Sequence, residues 1–266
     1  MKKRTYLAIL FLALFLLGLP SSIKAQPANE DESLMKRLEK FLKEASVVDI
    51  NDHIAIGRTA PWIITLDDGT AKRRAIFKYV DSPRPSVVPS SYKYEIAAYE
   101  LAKLLGIEIV PPVIAREIKG RKGSLQIFLE NCISLKDKER KKLAPPDPQA
   151  LANAVEEVKV FENLTYDECL NKSDIKIHQE TWKVCRVDFG DAFSPVAELL
   201  QGCEIERCSR RLYQGLLQVS DEALRSTLKP CLNDEEINAL LARRKLIMEK
   251  IDQLVKEKGA DAVLFS

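Results

Sequence analysis

Apolar residues recur along this chain at three spacings, and each predicts a different element. The first is a continuous run from Tyr6 to Leu19, preceded by Lys2, Lys3 and Arg4 and broken by Pro20, Ser21 and Ser22. With Ala25 as a small residue before Gln26, it predicts a secretory signal peptide over residues 1–25, cleaved near Ala25. The run is shorter than the ~20 residues that span a hydrocarbon core, which disfavours an uncleaved anchor.

Helical spacing comes next. Met35, Leu38, Phe41 and Leu42 predict an amphipathic helix within an N-terminal extension, residues 26–46. Tyr92 to Leu105 reads as a helix capped by Ser90 or Ser91 and stopped by Gly106. A long helix is predicted from about Asp234 to Lys258, with Ile237, Leu240, Leu241, Ile247, Ile251 and Leu254 on its apolar face.

Between these lie short apolar stretches suited to strands: Ile54–Ile56, Trp62–Leu66, Arg74–Tyr79, Val113–Ile118 and Ser124–Leu129. Asp67-Asp68-Gly69 signals a hairpin, and the segment Lys119 to Gly123 signals a second turn. A Pro- and Ser-rich loop spans Ser82 to Ser91, and beyond Pro148 the chain reads as mainly helical. Strands followed by helices predict an α+β fold with two lobes, residues 47–130 and 131–266.

Charge alters the picture once the leader is set aside. The full chain has 41 Lys and Arg against 39 Asp and Glu, and four of the cations (Lys2, Lys3, Arg4, Lys24) lie in residues 1–25. The remainder is about neutral and has no long basic run, which argues against a nucleic-acid binder. No second apolar run of spanning length follows the leader. Arg243-Arg244-Lys245 reads as a helix face with salt bridges.

All six cysteines (Cys132, Cys169, Cys185, Cys203, Cys208, Cys231) follow the leader, an even count that permits disulfides in an exported chain. Cys203 and Cys208 are close enough for a local pair; the alternative is that several are small buried apolar residues. Without paired Cys-x-x-Cys, and with His53 and His178 isolated, zinc is not indicated.

The candidate chemistry lies in an ordered set. A possible turn at Gly57-Arg58-Thr59 precedes Lys78 in Ala-Ile-Phe-Lys, then Glu95 in Tyr-Glu-Ile-Ala-Ala-Tyr, and much later Val187-Asp188-Phe189-Gly190. In this order over roughly residues 50–258 the chain resembles the protein-kinase-like superfamily. Residues 94–112 and 160–193 look more like its atypical branch, which includes phosphatidylinositol-kinase-like bacterial proteins and secretory-pathway kinases. The resemblance implies a two-lobed fold, ATP and magnesium. Gly57, Lys78, Glu95 and Glu130, the last at a hinge following strand Gln126–Glu130, would serve the nucleotide. Asp174 and Asp188 would hold the metal.

One stretch departs from the family's pattern. Where the family has its catalytic Asp and a metal-binding Asn five positions on, this chain has Cys169 and Asp174. A thiol is a weak acceptor, and Asp167 two residues earlier is the candidate that would replace it. Three readings follow: a divergent ATP-dependent phosphotransferase, a pseudokinase, or an exported structural or protein-binding module without nucleotide function.

Overall fold

The computed structural model describes residues 28–52, 59–83 and 89–266. The expected signal peptide, the strand Ile54–Ile56 and Gly57 lie outside the described residues, as do residues 84–88 of the Pro-rich loop.

Helix α1 (Ala28–Glu44) places Phe41 and Leu42 against a sheet and leads into strand β1 (Ser46–Asn51). Strand β2 (Trp62–Asp67) alternates, with Trp62, Ile64 and Leu66 buried. The hairpin to β3 (Lys72–Lys78) turns where expected. Asp67 and Asp68 accept bonds from the backbone of Gly69, Thr70 and Ala71, and Gly69 takes a φ of 86°.

Strands β4 (Asp81–Ser82) and β5 (Ser90–Ser91) form a short pair at the entrance of α2 (Tyr92–Leu104). Ser91 caps that helix by accepting from the Lys93 N–H at 3.2 Å. Strands β6 (Val113–Ile118) and β7 (Arg121–Ile127) follow. Their turn is tighter than expected: only Lys119 and Gly120 lie between the strands, both at positive φ, so β7 begins three residues early. The five-stranded antiparallel sheet has the order β1-β2-β3-β7-β6.

Beyond it lie β8 (Cys132–Ser134), α3 (Leu135–Arg140), α4 (Pro148–Thr165), β9 (Ile175–His178) and β10 (Val184–Arg186). The three strands make a second antiparallel sheet, β10-β9-β8, of which β9 and β10 lie in the stretch beyond Pro148 expected to be mainly helical. The chain ends with β11 (Cys208–Ser209), α5 (Arg210–Gln218), α6 (Asp221–Leu228), α7 (Asp234–Lys258), α8 (Ala260–Val263) and β12 (Leu264–Phe265).

The architecture is α+β, with two apolar cores. One joins α1 to the large sheet through Leu42, Ile64, Leu66, Phe77 and Leu125. The larger gathers α2, α4 and α7 with the second sheet, through Tyr94, Leu101, Phe161, Ile177, Leu240 and Ile247. Helix α2 is buried along its alanines, and the backbone of Gly215 comes close enough to its end that a Cβ there would lie 2.2 Å from the Leu105 carbonyl oxygen. Arg243 departs from expectation. It is fully buried and donates to the carbonyls of Leu164 and Ser194 at 3.0 and 2.9 Å, because α7 packs that face against the end of α4.

Candidate functional site

Strand β3 sets the first charged group. Ala75 and Phe77 point into the core, so Ile76 and Lys78 stand on the opposite face. Lys78 Nζ donates to Glu95 Oε1 at 2.5 Å and to Asp188 Oδ1 at 2.6 Å. Glu95 is buried on α2, and its other oxygen accepts from the Phe189 N–H at 3.1 Å. The Ser91 N–H donates to the Gly190 carbonyl at 2.8 Å, which fastens the 188–190 turn to the start of α2. Asp188 has a φ of 69°, a left-handed conformation uncommon outside glycine and often found at working sites. Burial alone would lower the pKa of Lys78, but the Glu95 and Asp188 carboxylates outweigh it and hold the ammonium above its ordinary value.

A second charged cluster lies deeper. Helix α4 stops where Tyr166 turns left-handed, at a φ of 51°, and the next residue is Asp167. Arg186, almost wholly buried on β10, donates through Nε to Glu162 Oε1 and through Nη2 to Asp167 Oδ2, both at 2.7 Å. Glu162 also accepts from the Leu170 N–H at 2.7 Å, so the same carboxylate holds the following loop. One guanidinium thus faces two buried carboxylates. Burial pushes the Asp167 carboxyl up to about 7 against the pull of Arg186, and the Glu162 and Glu95 charges add to the rise. Burial raises Glu162 as well, again opposed by Arg186.

Lys78, Asp167, Asn171, Asp174, Asp188 and Asp191 line one cavity of about 660 Å³. Of the residues expected at the site, Lys78, Asp167, Asp174 and Asp188 therefore meet there, and Glu95 reaches it through its bond to Lys78. Asp174 is raised by burial, with Arg186 opposing and Asp188 adding. A second cavity of about 690 Å³ adjoins the first and is more apolar, lined by Ile76, Phe128, Leu129, Ile133 and Val187 among others. Ile76, Gln126, Lys176 and Val187 border both.

Two expected site residues do not join this arrangement. Cys169 is bonded to Cys203 in a disulfide, so it has no thiolate with which to accept a proton. The pairing differs from the expected Cys203–Cys208 because Asn163 on α4 holds the 200–203 segment beside the helix end, accepting from Leu200 and donating to the Cys203 carbonyl, both at 3.0 Å. Cys208 keeps a buried free thiol at the start of β11. Glu130 turns away to Arg74 in a two-pronged ion pair at 2.8 and 2.5 Å and lines neither cavity.

Several residues of the site escaped the sequence reading: Gln126, Glu162, Asn171, Arg186 and Asp191. Arg186 carried a signal, since it shares the inward face of a short strand with Val184 and so puts a charge at an inward position. Among the described residues no group of three or more His, Cys, Asp or Glu side chains is placed to hold a metal ion; Asp174 and Asp188 line the cavity as a pair.

Fold and site together define an α+β protein with a divided cleft, strongly charged at one end and more apolar at the other. No family model matches the chain, and no curated protein matches it. Two solved structures are similar over part of their length. "Structure of the open conformation of CtTel1" has a TM-score of 0.43 at 12% identity over 82% of this chain. "Complete CtTel1 dimer with C2 symmetry" has a TM-score of 0.42, also at 12% identity over 82% of this chain. This chain spans 12% of the length of each.

Proposed function

We propose that the divided cleft binds ATP with magnesium, and that the chain is a two-lobed, protein-kinase-like phosphotransferase of the atypical branch. One observation carries the reading: Lys78 stands between a buried helix carboxylate, Glu95, and the Asp188 carboxylate, in the lining of a cavity that Asp167 and Asp174 also line. A transferring phosphoryl group carries spread negative charge, so a cation fixed from behind by a carboxylate is what its oxygens require. Asp174 and Asp188 offer hard oxygen ligands suited to magnesium, which would offset phosphate charge when bound.

Lys78 binds the phosphate oxygens, and Glu95 keeps its ammonium in place. The acceptor hydroxyl oxygen bonds to the terminal phosphorus while the bond from that phosphorus to its bridging oxygen breaks. The electron pair leaves with the diphosphate, and the hydroxyl proton passes to the ionised Asp167 carboxylate. A second reading, nucleotide binding without transfer, draws support from the Cys169–Cys203 disulfide and from the hold of Arg186 on Asp167.

Calorimetry with ATP, with and without magnesium, tests the first step. Binding is expected to need magnesium and to weaken at least tenfold in Lys78→Ala and Asp188→Ala. No heat at high micromolar ATP from folded protein overturns the reading and favours a structural or protein-binding module. Turnover that Asp167→Asn abolishes while binding persists separates transfer from binding alone.

A further inference from the structure

Gln126 is one of two polar residues, with Lys176, that line both cavities. It lies on β7 opposite Ile76 of β3, two positions along the same face from the pair Lys78 and Ser124. It borders the charged cavity and the more apolar one, whose lining also includes Lys136, Asp137 and Arg140. The residue is only 7% exposed, and its amide nitrogen is buried with no hydrogen-bond partner among the described residues. A buried donor left without a partner is costly, and proteins seldom keep one without a use. An apolar side chain of similar size would fit the strand without that cost.

We infer that Gln126 is the specificity residue that reads the hydrogen-bonding edge of a purine base. The inference rests on the nucleotide reading above and goes beyond it by naming what selects the base. A nucleotide is itself divided, with an anionic phosphate end and a flat, largely apolar base. Lys78, Asp174 and Asp188 mark the phosphate end of the cleft, and Ile76, Phe128 and Val187 supply apolar walls for the base. Gln126 sits between the walls as an amide able to turn about its last bond. It can present a donor to a 6-oxo purine or an acceptor to a 6-amino purine. A base with hydrogen alone at position 6 offers the amide no partner at that position and leaves it only a ring nitrogen as acceptor.

The test compares ATP, GTP and purine riboside triphosphate, which lacks the 6-substituent, on the full chain and on Gln126→Leu, with magnesium present. The native protein is expected to bind one or both substituted purines about tenfold more tightly than the unsubstituted one, the equivalent of about 1.4 kcal/mol. In Gln126→Leu that preference should vanish while binding of the unsubstituted triphosphate is kept or improved. The variant loses a buried unpaired amide and opens no cavity, so its thermal midpoint should be unchanged or raised. That midpoint shows that a lost preference is not lost folding. Nucleotide binding with the same selectivity in Gln126→Leu overturns this inference and leaves the nucleotide reading intact. Absence of binding by all three triphosphates to folded native protein overturns both.

Discussion

The cleft is built on two ionic clusters that share one feature, a single cation facing two carboxylates, and differ in nearly everything else. In the outer cluster Lys78 meets Glu95 and Asp188, and the Asp188 side chain is 57% exposed. In the inner cluster Arg186 meets Glu162 and Asp167, and all three side chains are at most 6% exposed. An exposed carboxylate exchanges its partner for water, metal or phosphate at little cost, because solvent screens each state. Buried charges have no such substitute, and their arrangement is fixed by whatever surrounds them. The outer cluster is therefore suited to taking up and releasing a ligand, and the inner one to holding a single carboxylate in place.

Removing the inner cation breaks the comparison most severely. Arg186→Met leaves Glu162 and Asp167 buried without a positive partner, and loss of one member of such a pair costs about 3–5 kcal/mol. Urea unfolding should show that loss; a cost under about 1 kcal/mol means the cluster relaxes into solvent and is not rigid. The disulfide supports the same loop from its other side. Cys169 and Cys203 are 34 residues apart, and removing a bridge of that kind costs about 2–4 kcal/mol. Cys169→Ser should therefore lower stability by less than Arg186→Met and leave Lys78-dependent nucleotide binding in place. Loss of that binding in a folded Cys169→Ser protein means the two clusters are coupled.

The outer cluster was legible from the order of residues along the chain, and of the inner one only Asp167 was. Lys78 follows two alternating apolar positions of a strand, Glu95 opens a well-capped helix, and Asp188 sits in a short turn; none stands out by itself, and their succession along the chain is what marks them. Glu162 lies in the last turn of α4 and Arg186 on a three-residue strand, and only the packing of α4 against β10 brings them together. The second sheet was missed for a related reason. Its strands are three or four residues long, too short for alternation to stand out from a helical background. Glu130 was misplaced because the exposed Arg74 on the neighbouring strand competes for it. Long elements declared themselves, as α7 did from Asp234 to Lys258, with Asn233 and Glu236 closing a capping box at its start.

The pH dependence offers the smallest effect and the sharpest contrast. A lysine held above its ordinary value contributes stability that is fully present below about pH 10.4, so Lys78 adds no slope between pH 5 and 9. Asp167 has the opposite sign. Its folded pKa of about 7 lies above the unfolded value near 3.9, so the folded state holds the proton more tightly. The stability this contributes is complete below about pH 4 and is lost as pH rises through about 7, by on the order of 1 kcal/mol or more. Glu162, also raised, adds to the same slope. Asp167→Asn should flatten that part of the stability profile measured from pH 5 to 8, and an unchanged slope would place the titration elsewhere. Proton acceptance requires the ionised form, so any transfer through Asp167 should rise over the range where stability falls. Activity and stability moving in opposite directions with pH, both dependent on Asp167, would tie the inner cluster to chemistry. A stability slope that responds to Asp167→Asn without turnover at any pH would tie it to the loop's architecture alone.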